Sequence, residues 1–121
     1  MVKRYDGRNV RRLSLRRPAE ALFSNRRVQV HDLSATGFGI THDFRLQKGD
    51  TGVLEFHWGS RFAITCTVSR CVPHGSTGFR SGLTFERCPP AYRELVDEAL
   101  ERKARHEATL PDFFPGEPEK K

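Results

Sequence analysis

The clearest structural signal in the chain lies at residues 62–69, which read Phe62-Ala63-Ile64-Thr65-Cys66-Thr67-Val68-Ser69. Apolar side chains alternate there with small or polar ones, and most of the residues are aromatic or β-branched. Because successive side chains of a strand point to opposite faces, this period of two predicts a long strand with one buried face. By the same alternation, Cys66 and Cys71 are expected on opposite faces of that strand.

Working outward from this strand, five further strand-like segments are separated by turn residues. They lie at Ala19–Phe23, Val28–Leu33, Phe38–Thr41, Val53–Trp58 and Phe79–Phe85. Several strands at such short spacing favour a barrel or a sandwich, because a closed sheet leaves no exposed edge. We therefore expect an all-β fold built as a small antiparallel barrel.

One helix is predicted after Pro89-Pro90, because apolar residues recur there at helical spacing. They are Tyr92, Leu95, Val96, Ala99 and Leu100. This apolar stripe must pack on the barrel, which is the available apolar surface. The expected organisation is a flexible basic arm at residues 1–17, a barrel with its helix at residues 18–106, and a flexible tail at residues 107–121.

The net charge of +6 is concentrated in the amino-terminal arm. Seven lysine and arginine residues stand in residues 1–17 against Asp6 alone, and the remainder of the chain is neutral. An anionic partner is therefore expected at the arm rather than over the whole surface.

Several other classes of protein find little support in the sequence. No apolar run is long enough to span a bilayer and no apolar signal region follows Met1, so we expect a cytoplasmic protein without membrane insertion. The three cysteines and five histidines lack metal-ligand spacing, so neither a metal nor a cofactor is predicted. No paired carboxylates, Ser/His/Asp triad or phosphate-cradling glycine-rich loop can be assembled, and an enzyme is not expected.

Two short motifs carry the chemistry that the sequence offers. The first is Arg11-Arg12-Leu13-Ser14-Leu15-Arg16, whose guanidinium groups can grip phosphate oxygens in a bidentate manner and stack on a purine. The second is Asp32-Leu33-Ser34-Ala35-Thr36-Gly37. There a carboxylate can accept from the N–H groups of guanine, Ser34 can contact phosphate or base, and Gly37 allows a close backbone approach. Each motif alone is also compatible with an ordinary turn or a solvated basic segment.

Together with Gly82-Leu83-Thr84-Phe85, these motifs resemble the signatures of the PilZ domain, in the same order and over most of the chain. The resemblance implies a six-stranded antiparallel barrel with a C-terminal helix and a non-enzymatic bacterial receptor for cyclic di-GMP. It implies ligand binding by Arg11, Arg12, Arg16, Asp32, Ser34, Gly37 and Gly82. Arg11 matches family members that take up two ligand molecules per chain.

With no second domain in the sequence, the signal is expected to pass through an effector protein or through self-association. The seven cations of residues 1–17 repel one another without a ligand, so binding is expected to order the arm and so pass on the signal. Two segments, Arg17 before Pro18 and Arg80-Ser81 before Gly82, depart from the usual pattern of the family. Both lie outside the two ligand motifs, so they are expected to affect strand boundaries rather than binding.

Two alternatives remain open at this point. A nucleic-acid-binding barrel would stack bases on its aromatic residues and follow phosphates with its basic arm. The alternation of the aromatic residues with polar ones favours core packing instead, and the neutral body argues against a long nucleic-acid track. A protein-interaction module of the same fold, without nucleotide, is the second alternative.

Overall fold

The computed structural model describes residues 11–105, with side chains described to residue 103. Six antiparallel strands form a closed ring, and one helix follows them. The strands are β1 (Leu13–Phe23), β2 (Arg26–Leu33), β3 (Gly37–His42), β4 (Thr51–Trp58), β5 (Ser60–His74) and β6 (Gly78–Thr84). Helix α1 spans Pro90–Arg105, and the strand order around the ring is β1-β2-β3-β6-β5-β4. The predicted fold class is confirmed.

Strand β5 follows the alternation that its sequence predicts. Phe62, Ile64, Cys66 and Val68 are buried inside the barrel, whereas the threonines between them are exposed. The alternation changes phase at Ser69, where a β-bulge shifts the register against β6. Cys71 consequently packs against the core, as Cys66 does, so the expectation that these two thiols lie on opposite faces was wrong.

Strand β1 begins at Leu13, six residues before the start that the apolar pattern suggested. Leu13 is buried and pairs with Leu33, but a β-bulge interrupts the register between Ser14 and Ala19. Pro18 lies in this irregular stretch, where its missing N–H leaves no ladder hydrogen bond unmade. The strand therefore extends into the range expected for the basic arm, residues 1–17. Residues 1–10 and the expected tail at 107–121 lie outside the described part of the chain.

Helix α1 closes one end of the barrel, and Tyr92 is its most deeply inserted side chain. The tyrosine ring is fully buried, with its centroid between 5.7 and 6.1 Å from those of five aromatic residues. These residues are Phe38, Phe56, Trp58, Phe62 and Phe85. Four of the five are buried and Trp58 is partly buried against them, so the predicted core role is confirmed for most of these rings.

A buried polar group stands near the opposite end of the barrel. His42 Nδ1 lies 2.7 Å from the Phe44 carbonyl oxygen, which can only accept, so this nitrogen carries the proton. Nε2 therefore accepts from the Ser81 hydroxyl at 2.8 Å. Both side chains are buried with their hydrogen bonds satisfied.

The part of the chain that the structure describes contains no helix with the length and apolarity needed to cross a bilayer. Between residues 11 and 105, no group of three or more histidine, cysteine or acidic side chains has a metal-binding arrangement.

Candidate ligand-binding site

The turn between β2 and β3 is organised by Ser34. Its N–H donates to the Gly37 carbonyl at 3.0 Å, and its hydroxyl oxygen accepts from the N–H groups of Thr36 at 3.1 Å and Gly37 at 3.2 Å. Ser34 has no exposed surface. Ser34, which was predicted to contact the ligand, is therefore a buried residue whose hydrogen bonds stabilise the turn.

Gly37 is required by the packing of strands β3 and β6. A Cβ atom there would lie 2.2 Å from the Leu83 carbonyl oxygen, a backbone atom that has little freedom to move. Gly37 does not have a positive φ. Its role in the structure is thus a close approach between strands, rather than a left-handed turn conformation.

Asp32 lies at the centre of a small charged cluster on the outer wall of the barrel. Arg12 donates to Asp32 Oδ1 through Nε at 3.0 Å and also through Nη2. Arg80 Nη2 stands 3.8 Å from the other carboxylate oxygen, Oδ2. The aspartate side chain is 17% exposed and the two arginines are 41% and 44% exposed, so the cluster faces solvent. Arg80, which lies outside the two ligand motifs in sequence, thus stands beside the aspartate of one of them in the structure.

A pocket of about 220 Å³ adjoins this cluster, and two glycines form its floor. Cross-strand pairing places Asp32 beside Gly39, Gly39 beside Gly82, and Gly82 beside Arg70, in one row over β2, β3, β6 and β5. Neighbouring strands are about 4.8 Å apart, so the row spans roughly 14 Å. The missing side chains of the two central glycines leave flat backbone between an aspartate and an arginine.

Three β-bulges determine which side chains reach this wall. Val28 and Val30 are buried, and simple alternation would also turn Asp32 inward, but a register shift at His31 places it outside. A similar shift at Ser69 places Arg70 outside, and the irregular stretch of β1 carries Arg16. Bulges re-aim side chains and are common beside functional sites.

His31, the residue at the bulge in β2, has a lowered tendency to take up a proton. Partial burial lowers its pKa, and the positive charge of Arg80 acts in the same direction. Its Nε2 atom lies 2.8 Å from the Thr41 hydroxyl. The cations that line the pocket are the arginines Arg12, Arg70 and Arg80.

The sequence profile of the PilZ domain matches residues 6–102. The chain belongs to the PilZ domain family. No curated protein matches the chain in sequence.

The PilZ chain is similar in structure to three solved proteins. For YcgR of Escherichia coli in complex with c-di-GMP, the sequence identity is 21% and the TM-score 0.63, over 84% of this chain and 49% of that one. For the Bacillus subtilis inhibitor of motility MotI/DgrA, the sequence identity is 14% and the TM-score 0.66, and the match covers 86% of this chain and 54% of that one. For the PilZ domain of Escherichia coli YcgR with c-di-GMP, the sequence identity is 23% and the TM-score 0.62, and the match covers 85% of this chain and 98% of that one. The chain thus spans about half the length of the first two.

Within this PilZ domain, the structure brings together only some of the residues predicted to bind ligand. Arg12, Asp32 and Gly82 line the same pocket. Arg11 instead donates to the Leu100 carbonyl oxygen of α1 at 3.3 Å. Arg16 is exposed, and its side chain has no hydrogen bond or ion pair with the residues that the structure describes. Its guanidinium is therefore available to a ligand.

Sequence reasoning missed Arg70, Arg80 and Gly39, which complete the pocket. For Arg80 a signal was present, since it lies an odd number of positions from buried Leu83 and hence on the outer face with Gly82. For Arg70 the parity was misleading, because the bulge at Ser69 is not visible in the residue pattern.

Other concave surfaces of the PilZ domain are larger but lack the motif residues. A groove of about 650 Å³ along β5 and β6 is lined by three threonines, with Glu86 and Arg87 among the other residues. Another, of about 360 Å³, lies near His42 and contains the opposite charges of Glu20 and Arg27. Neither combines a single carboxylate with several arginines, so the glycine-floored pocket remains the candidate site.

Proposed function

We propose that this PilZ domain is a receptor for cyclic di-GMP and binds it at the pocket between Asp32 and Arg70. The observation that carries the proposal is the position of the Arg12–Asp32 pair beside the glycine floor, with Arg70 and Arg80 on the same wall. Cyclic di-GMP has two negative phosphates and two planar bases. The three arginines provide an excess of positive charge for the phosphates, and the carboxylate provides a hydrogen-bond acceptor for the bases.

The residues would divide the recognition between them. Asp32 has an oxygen, Oδ2, that is not engaged by Arg12, and it can accept from the N–H groups of a guanine edge. The exposed guanidinium of Arg16 and that of Arg12 can contact phosphate or stack on a base. Ser34 and Gly37 hold the turn that positions Asp32, and Gly82 keeps the floor open.

A receptor fits this site better than a catalyst, because its groups are guanidinium ions and a carboxylate already paired with Arg12. The Ser34 hydroxyl oxygen already accepts from two backbone N–H groups inside the turn.

We also propose that the protein acts in the cytoplasm by ordering the residues before β1 on binding, thereby creating a surface for an effector protein. Faster amide exchange at residues 4–12 without ligand than with ligand would support this mechanism, and equal exchange in both states would refute it.

Calorimetry with cyclic di-GMP tests the binding proposal, with linear pGpG and GTP titrated separately as controls. Arg16→Ala and Asp32→Ala should each weaken binding by at least ~1.5 kcal/mol, the scale of a charge-assisted hydrogen bond. Arg61→Ala is the matched control, since Arg61 is exposed on β5, pairs with His57 and does not line the pocket. Unchanged affinity in both site variants would overturn the site, and no binding by the wild type would favour the protein-interaction alternative.

A further inference from the structure

Asp32 and Arg80 lie close together without a hydrogen bond between them. The 3.8 Å between Arg80 Nη2 and Asp32 Oδ2 is too long for a hydrogen bond, so both groups keep their bonding capacity on the solvent side. The arginine is 44% exposed, and an ion pair of this kind contributes little to stability. A donor and an acceptor are thus presented side by side at the edge of the pocket.

A purine base has two atoms at matching positions on its Watson–Crick edge. Guanine presents the O6 acceptor next to the N1–H donor, with a second donor at N2. Adenine presents the reverse order, an N6–H donor next to an N1 acceptor. A carboxylate beside a guanidinium complements the guanine pattern, whereas an adenine would place its N1 lone pair against the carboxylate and its N6–H against the guanidinium.

We propose that Arg80 is a second specificity-determining residue, which selects guanine over adenine beside the guanine contact that the proposed function gives to Asp32. Asp32 Oδ2 accepts from N1–H and N2–H, and Arg80 donates to O6. This inference rests on the proposed binding of a cyclic dinucleotide at this pocket and adds its base specificity.

The floor of the pocket supports this role. A Cβ atom on Gly39 would lie 2.7 Å from Asp32 Oδ2, the same oxygen that faces Arg80, so the glycine leaves that oxygen in place. Gly82 continues the floor beside Gly39, and both glycines line the pocket together with Arg80. A flat base can lie on this backbone with its edge toward the Asp32–Arg80 pair.

The test is the ratio of affinities for cyclic di-GMP and cyclic di-AMP, measured by calorimetry. Both ligands carry two phosphates, so the loss of a positive charge affects them alike, and the ratio isolates the contact with the base. Arg80→Met should reduce the preference for cyclic di-GMP about tenfold, the scale of one specific base contact. Arg80→Lys, which keeps a donor, should retain part of the preference. Arg61→Met on β5 is the control and should leave the ratio unchanged.

The outcomes separate this inference from the proposed function. If the wild type prefers cyclic di-GMP and Arg80→Met has the same ratio, the role of Arg80 is overturned while the binding proposal stands. If the wild type binds cyclic di-GMP and cyclic di-AMP equally, selection by this pair is overturned and dinucleotide binding stands. If the wild type binds neither, both proposals fail.

Discussion

The hydroxyl of Tyr92 donates a 2.8 Å hydrogen bond to the backbone carbonyl oxygen of Ser34, which joins helix α1 to the turn after β2. Both groups are buried, and the same serine holds the turn through its own hydroxyl. The helix and the segment that positions Asp32 are therefore one packed unit, although 58 residues separate them in sequence.

Removing this hydroxyl should destabilise the domain. Tyr92→Phe keeps the ring and its aromatic contacts but leaves the Ser34 carbonyl without that donor, which should lower the free energy of unfolding by about 1 to 3 kcal/mol. Urea denaturation measures the change. Tyr92→Ala, which also loses the packing, should cost about 3 to 5 kcal/mol. Equal stability of Tyr92→Phe and the wild type would show that the bond contributes nothing.

Two glycine substitutions should separate binding from folding. Gly39→Ala places a methyl group against the movable carboxylate of Asp32, so binding of cyclic di-GMP should weaken roughly tenfold with little loss of stability. Gly37→Ala instead meets the Leu83 carbonyl, so the strands must move apart and stability should fall by about 1 to 3 kcal/mol. Calorimetry and urea denaturation of both variants check the contrast, and the reverse pattern would contradict it.

Stability should decrease in mild acid because of His42. Burial lowers the pKa of this imidazole below its usual 6.5, so the unfolded chain takes up a proton at a higher pH than the folded one. The contribution of the unprotonated His42 to the free energy of unfolding is therefore fully present above pH 6.5, and it is lost as the pH falls through the pKa of the folded state. The pKa of His31 is also lowered, which adds to the effect.

The measurement is the urea midpoint of unfolding at a series of pH values from about 7.5 to 5. His42→Gln should flatten the decrease, whereas His57→Gln, at an exposed position on β4, should keep it. A wild-type midpoint that rises on acidification would reverse the assigned sign.

The number of bound ligands should depend on Arg11. We expect two molecules of cyclic di-GMP per wild-type chain and one for Arg11→Leu, because a further stacking guanidinium supports a ligand pair. In the structure Arg11 instead donates to the Leu100 carbonyl oxygen. This hydrogen bond must break before the guanidinium of Arg11 can reach a second ligand. Calorimetric stoichiometry decides, with Arg61→Leu as control, and a value of one for the wild type would remove this role.

The regular parts of the fold could be predicted from residue periodicity. The alternation from Phe62 to Val68 and the helical stripe of Tyr92, Val96 and Ala99 both match buried surfaces of the structure. In these segments each side chain's direction follows from its position in the chain, because no bulge or other irregularity interrupts the strand or helix periodicity.

The candidate site was harder to predict because it lies where β-bulges interrupt the regular alternation of inward and outward side chains. The bulges at His31 and Ser69 each shift the alternation by one residue and turn Asp32 and Arg70 outward. Such bulges depend on pairing between strands that are distant in sequence, so local patterns do not reveal them. Asp32 was found through its motif, and Arg70, which belongs to no motif, was not.

The joint between β1 and β4 differs from the other joints of the ring in its extent. Within the described residues, strand pairing there is confined to Leu22 and Phe23 opposite Glu55 and Leu54, extended by one backbone hydrogen bond from Ser24 N–H to the Val53 carbonyl oxygen, whereas β6 pairs with β5 along its whole length. Local opening costs less free energy where fewer backbone hydrogen bonds must break. The strand that carries Arg16 thus borders the part of the barrel that separates most readily. A ligand that contacts β1 and binds the closed ring more tightly than the opened one would make this separation rarer.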